Sequence, residues 1–171
     1  MRFFLCVHEG FGTFSVWRGV AMAEQAIFTV LAMVSDGSGN LLMEDRNDPG
    51  WPGICFPGGH VEPGEAFTAA AIRETREETG LTIENPTLCG VKQFPAKGNA
   101  RYVVFFYKAD RYTGNLRSSD EGEVFWLPRQ QLSEYPLVED FMDMLKVFES
   151  DTLNEFQYYQ EDNGEWGLRL L

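Results

Sequence analysis

One stretch constrains this chain more than any other: Gly58 to Leu81, GGHVEPGEAFTAAAIRETREETGL. Between the Pro-Gly-Glu turn at Pro63 to Glu65 and Gly80 lies a run of about 14 residues, rich in Ala, Glu and Arg and free of Gly and Pro, which predicts a helix. Gly80 is placed to end it as a left-handed C-terminal cap. Residues three and four apart are neighbours on a helix, so this spacing crowds the carboxylates of Glu74, Glu77 and Glu78 onto one face. Like charges so placed each cost about 0.2–0.5 kcal/mol, and acidic groups near a helix C-terminus also oppose its dipole. Something positive is expected there. Carboxylate oxygens grouped without Cys or His suit Mg²⁺ or Mn²⁺ rather than zinc, and Mg²⁺ held by one or two carboxylates takes its remaining ligands from water and substrate phosphates. Arg73 and Arg76, interleaved with the glutamates, leave a second reading open, a solvated face laced with Arg–Glu pairs.

The net charge of −12 argues against nonspecific binding to a nucleic acid polymer or to an anionic membrane, both of which want a basic surface. A length of 171 residues with 44% apolar content fits one globular domain with a real core. Cys6, Cys55 and Cys89 are odd in number and have no metal or redox spacing, so they read as reduced core residues of a cytoplasmic protein. Only His8 and His60 are present, which disfavours a histidine metal site. No apolar run reaches the 18 or so residues that a membrane span needs.

The stretch resembles the signature of the Nudix hydrolase family, G-x5-E-x7-R-E-U-x-E-E-x-G-U, where U is a bulky apolar residue. Gly59, Glu65, Arg73, Glu74, Glu77, Glu78, Gly80 and Leu81 all fall on their places in a box spanning 59–81. Thr75 is the departure, standing where the family usually buries an aliphatic residue. A threonine keeps a methyl group there and can bond its hydroxyl to the carbonyl one turn back. It lowers the expected packing, not the catalytic competence.

This resemblance implies an α/β (α+β) fold, with a central mixed sheet sandwiched between helices in an α/β/α arrangement. It implies Mg²⁺-dependent hydrolysis of a nucleoside diphosphate linked to another group, with Mn²⁺ as a possible substitute. Carried over by position, Glu74 and Glu78 hold the metal, Glu77 completes the cluster, Gly59 gives its carbonyl and Arg73 pins Glu74. Glu65 steadies the loop-to-helix junction or touches the metal through water. The general base is Glu74, another box glutamate or one supplied by a loop. Similar chains carry a further metal-binding glutamate just before the last sheet strand, and in SSDEGEVFWLP the best match is Glu121, with Glu123 next. The segments FPGGHVEPGE and DEGEVFWLP with a terminal hairpin look like the MutT-type branch. The expected substrate is therefore a small nucleotide, a triphosphate such as 8-oxo-dGTP, giving the monophosphate and pyrophosphate. Pro95, fifteen residues past Gly80, points instead toward ADP-ribose. A nucleotide-binding module without catalysis is a third reading, opposed by the presence of every charged box position.

Elsewhere the pattern predicts a buried strand over Ala26–Val34 and a hairpin partner over Leu41–Glu44. Arg46 and Trp51 flank the NDPGWPG loop as candidate phosphate and base contacts, against surface charge and hydrophobic plug. A short strand over Ile54–Pro57 is followed by strands over Glu84–Phe94 and Arg101–Lys108, the latter covered on both faces. A polar loop over Asp110–Ser119, a helix over Leu137–Phe148 and a hairpin around Asn163-Gly164 complete the chain. Residues 24–171 read as one domain. Residues 1–23 read as an extra edge strand, a loosely docked arm, or a stretch upstream of a true start at Met22. The intact mass of the protein made from its own gene tests the last reading, and a product beginning at Met1 excludes it.

Overall fold

In the computed structural model, which describes residues 23–171, the apolar run from Ala26 is strand β1 (Gln25–Val34). The readings made for the N-terminal extension, with Cys6 and His8, lie outside the described residues. The chain continues through β2 (Asn40–Arg46), β3 (Gly53–Cys55), helix α1 (Phe67–Thr79), β4 (Leu81–Ile83), β5 (Thr87–Pro95), β6 (Ala100–Ala109), β7 (Tyr112–Gly114) and β8 (Gly122–Pro128). Helix α2 (Phe141–Glu149) and the hairpin of β9 (Glu155–Gln160) and β10 (Trp166–Leu170) follow. Five strands make a mixed sheet in the order β1-β6-β5-β9-β10, with β1 parallel to β6 and β5 parallel to β9. Strands β3-β2-β8 make an antiparallel sheet, and β4 pairs with β7.

Side chains alternate between the faces of a strand, and β6 shows what each face meets. Val104 and Phe106 join Leu31 and the α2 residues Phe141, Met144, Leu145 and Phe148 in the main core. Tyr107 packs with Val30 and the α1 residues Ala70 and Ala71, with Phe105 against them. One helix thus covers each face of the mixed sheet, which is the expected sandwich. Within the main core the Phe148 ring lies 4.3 Å from that of Phe106 and 5.0 Å from that of Phe56, which in turn lies 4.9 Å from Phe141. Cys55 is buried and Cys89 half-buried, both as free thiols. No helix among the described residues is long and apolar enough to cross a membrane.

Several local expectations are corrected. β2 is not the hairpin partner of β1: apart from an isolated Ser35–Leu41 bridge, β2 pairs with β3 and β8, while β1 pairs along its length with β6. The reason is that the other edge of β1 is taken by the box loop. The Ala32 N–H donates to the Pro57 carbonyl (2.9 Å), Val30 N–H to Gly59 (2.9 Å), and Val61 N–H to Phe28 (2.9 Å). β1 is buried only from Thr29 onward, its first four residues being exposed. The expected 84–94 strand begins at Thr87, because Asn85 at φ 49° and Pro86 turn the chain between β4 and β5. The 110–119 loop contains β7, which β4 holds. α2 starts at Phe141 rather than Leu137, since Val138 N–H donates to the Ile54 carbonyl (3.1 Å) and Asp140, at φ 62°, turns the chain into the helix.

Phe148→Ala is expected to lower the unfolding free energy by about 3–5 kcal/mol, whereas Trp166→Ala, 57% exposed on β10, should stay within about 0.5 kcal/mol. Urea unfolding of both variants checks the assignment of the core.

Candidate active site

Helix α1 ends where its sequence says it should. Gly80 has φ 73° and donates its N–H to the Arg76 carbonyl (2.9 Å), and a Cβ there would stand 2.5 Å from the Asn115 carbonyl oxygen. Both the backbone angle and the close approach demand glycine. Thr75 is fully buried and donates its hydroxyl to the Ala71 carbonyl (2.8 Å), the bond one turn back that a threonine allows. The helix turns Glu74 and Glu78, one turn apart, into the protein, and leaves Glu77 half exposed, about 100° round the helix from Glu78. The three glutamates therefore share a side of the helix without converging on one point.

Arg73 ties this helix to the loop before it. Its Nε and Nη2 donate to the two oxygens of Glu65, each at 2.9 Å, a bidentate fork that lysine could not make. Nη2 also donates to the His60 carbonyl (2.9 Å), and Nη1 donates to Glu74 Oε1 (2.9 Å) and Glu77 Oε2 (3.1 Å). Glu65 further accepts the Glu62 N–H (3.0 Å), so it steadies the loop-to-helix junction. The Arg73 fork and that N–H hold the Glu65 carboxyl down at about 2. Gly59 sits directly under Glu74, where a Cβ would lie 2.6 Å from the carboxylate. One lone pair of the Gly59 carbonyl already takes the Val30 N–H.

The buried carboxylates behave in the opposite way. Glu78 is 1% exposed; its Oε2 accepts the Gly58 N–H (2.7 Å), and its Oε1 has no partner among the described residues. Burial, followed by the charge of Glu44, pushes it up to about 9. Glu44 was not singled out in the sequence. It lies on β2, fully buried, with neither oxygen hydrogen-bonded and Arg46 Nη1 at 3.9 Å. Burial raises both Glu44 and Glu74, opposed at Glu44 by Arg46 and at Glu74 by Arg73. Glu121 is exposed in the turn before β8, close enough that its charge works against ionisation of Glu44, Glu74 and Glu78. Glu123, two residues on, is exposed on β8.

Among the described residues no three carboxylate or imidazole groups form a ready-made cage for a metal. Mg²⁺ does not require one, since it binds through one or two carboxylates and fills its shell with water and substrate oxygens. The residues present fit such an ion. Among the described residues, three buried carboxylate oxygens, one on Glu78 and two on Glu44, lack any partner, and what raises these groups besides burial is the charge of other carboxylates.

Gly58 and Gly59 also line a cleft of about 300 Å³, so the carboxylates and the cleft share one piece of backbone. The two residues proposed as substrate contacts are both in its wall, with the Arg46 guanidinium 5.2 Å over the Trp51 ring. Across from them are Lys92, Phe94 and Tyr102 from the mixed sheet, the last two stacked at 4.9 Å.

The NUDIX domain family matches residues 26–148, and the chain belongs to that family. Among its relatives, the uncharacterized Nudix hydrolase YvcI of Bacillus subtilis is 40% identical over 102 residues, 57% of this chain and 62% of that protein. The ADP-ribose pyrophosphatase of Methanocaldococcus jannaschii is 32% identical over 109 residues, 60% of this chain and 64% of that protein. The chain thus spans less than two thirds of the length of these relatives. The crystal structure of a MutT protein from Bacillus halodurans matches with a TM-score of 0.68 at 27% identity, covering 84% of this chain and 97% of that one.

Glu78, raised above its ordinary 4.5 to about 9, binds a proton in the folded protein that the unfolded chain has already lost. Its contribution is therefore complete below about pH 4.5 and fades as pH rises toward 9. In the presence of a chelator, unfolding free energy is expected to fall from pH 5 to 9, and Glu78→Gln should flatten that slope in urea titrations.

Proposed function

We propose that the chain hydrolyses a nucleoside triphosphate to the monophosphate and pyrophosphate, with Mg²⁺ as the cofactor and Mn²⁺ able to replace it. The observation that carries this reading is the shared backbone of Gly58 and Gly59. A nucleoside in the aromatic cleft would leave its phosphate chain beside the buried oxygens of Glu44, Glu74 and Glu78. Nudix hydrolases generally use divalent cations, and such an ion supplies charge against phosphate oxygens and lowers the pKa of a water it touches. In our assignment Glu74 and Glu78 hold it, with the Gly59 carbonyl, and Glu77 and Glu121 at the exposed side.

Glu74 is the proton acceptor that we assign to the attacking water. Burial raises the Glu74 carboxyl above its ordinary value, which makes it a stronger proton acceptor, while Arg73 at 2.9 Å opposes that shift and fixes its position. Arg73 itself acts through Glu74, and Glu65 through Arg73. Arg46 in the cleft wall supplies a cation for the phosphate chain and Trp51 a face for the base. The resemblance of the segments FPGGHVEPGE and DEGEVFWLP to the MutT-type branch supports the triphosphate, 8-oxo-dGTP in particular. ADP-ribose is the second reading, favoured by the name of the Methanocaldococcus jannaschii relative and by Pro95 at the end of β5. A binding module without catalysis is disfavoured by the complete set of charged box residues.

Mg²⁺-dependent release of monophosphate from 8-oxo-dGTP, the ordinary triphosphates, ADP-ribose, NADH and dinucleoside polyphosphates tests the choice. On the best of these, Glu74→Gln should lower turnover at least about 100-fold with unchanged thermal unfolding. A near-normal rate in that variant refutes the assignment of the base.

A further inference from the structure

The chemistry assigned above makes no use of Lys92, yet this side chain is in the floor of the cleft. It stands on β5, the middle strand of the mixed sheet, on the same face as Phe94 and paired across the ladder with Val104. Lys92 is 7% exposed. Among the described residues, its Nζ lies 3.7 Å from the Met144 sulfur, 3.7 Å from Asp140 Oδ2 and 4.6 Å over the Phe156 ring.

These neighbours do not satisfy it. An ammonium carries three donors and no acceptor, thioether sulfur is a weak acceptor, and 3.7 Å is beyond the reach of an N–H···O bond. The same Asp140 oxygen already accepts the Tyr158 hydroxyl. Burial works against the charged form, and the ion pair only partly offsets it. A buried ammonium with spare donors, opening on a cleft walled by Trp51, Phe94 and Tyr102, has the chemistry of a ligand contact.

We propose, building on the nucleotide reading above, that the Lys92 ammonium donates to an exocyclic carbonyl oxygen of the base held in this cleft. It thereby selects keto bases, a 6-oxopurine or a 4-oxopyrimidine, over their amino counterparts. Adenine and cytosine turn an amino group toward such a donor, whereas guanine, hypoxanthine, uracil and thymine turn an oxygen. The aromatic walls stack on any base and do not discriminate, so the polar contact at the floor decides. Rejection of the amino bases follows because they would leave the buried donors unpaired.

The test compares kcat/KM for dITP against dATP, and for dUTP against dCTP, pairs that differ at one exocyclic group and the proton on the adjoining ring nitrogen. The wild type should prefer the keto member by at least about 10-fold. In Lys92→Met, which keeps an unbranched apolar stem, that ratio should fall to within about 3-fold of unity, with the change in KM rather than kcat. Equal rates on both members in the wild type, or an undiminished preference in Lys92→Met, overturn the proposal. So does an equal loss on both members accompanied by a lower melting temperature, which marks Lys92 as structural. The wild-type ratio decides even where the variant does not fold. If no triphosphate is cleaved, the function above fails while this contact is still decided by calorimetry, with IMP expected to bind more tightly than AMP and equal affinities counting against it.

Discussion

The site depends on the five hydrogen bonds of one guanidinium. Arg73 reaches Glu65 and the His60 carbonyl on the loop side, and Glu74 and Glu77 on the helix side, so the loop and helix cannot drift apart without breaking charge-assisted bonds. Each such bond is worth about 1.5–3 kcal/mol where it is shielded from water, as those to Glu65 and Glu74 partly are, and less at His60 and Glu77, where the bonds are exposed. The consequence runs beyond the helix. Fixing the loop at His60 fixes Gly59 and Gly58 just before it, and their backbone forms both the outer edge of β1 and the seat of two carboxylates.

The acidic groups divide into two populations by environment. Glu65 lies against Arg73 and is held near 2, so it stays charged and acts as scaffold. Glu78 and Glu44 are buried among other carboxylates with oxygens that no described residue satisfies, and burial pushes both toward the neutral form. A protein with a net charge of −12 gains nothing in stability from such an arrangement. In the function proposed above, its use would be to leave oxygens uncommitted inside the protein, where an arriving cation would meet a low dielectric and little competition.

Much of this was legible because it rests on local rules. The helix, its glycine cap and the threonine back-bond follow from spacing within 59–81, the Arg73–Glu74 contact from the family resemblance, and the terminal hairpin from Asn163-Gly164. Glu44 was not legible: it sits in LLMEDR, where the last three residues look like the polar end of a strand. Its burial comes from two neighbouring strands and a helix distant in sequence. The pairing of β1 failed for a related reason. A strand, a turn and a second apolar run within 20 residues read as a hairpin, and only the box loop, itself placed by Arg73, takes that edge instead.

That displaced strand explains why the cleft exists. Had β2 paired with β1, Arg46 and Trp51 would extend the mixed sheet at its edge. Because β2 lies in a separate sheet, the loop after it brings Arg46 and Trp51 over the face that carries Phe94, Tyr102 and Lys92. The box therefore supplies carboxylates and a rigid backbone seat, while the opposing wall is drawn from strands whose sequences carry no catalytic signature. Chemistry and selectivity are then separable in physical terms. In the reading proposed here the first is fixed by short-range spacing on one helix, and the second by how two sheets are set against each other, where a single buried side chain would change which base fits.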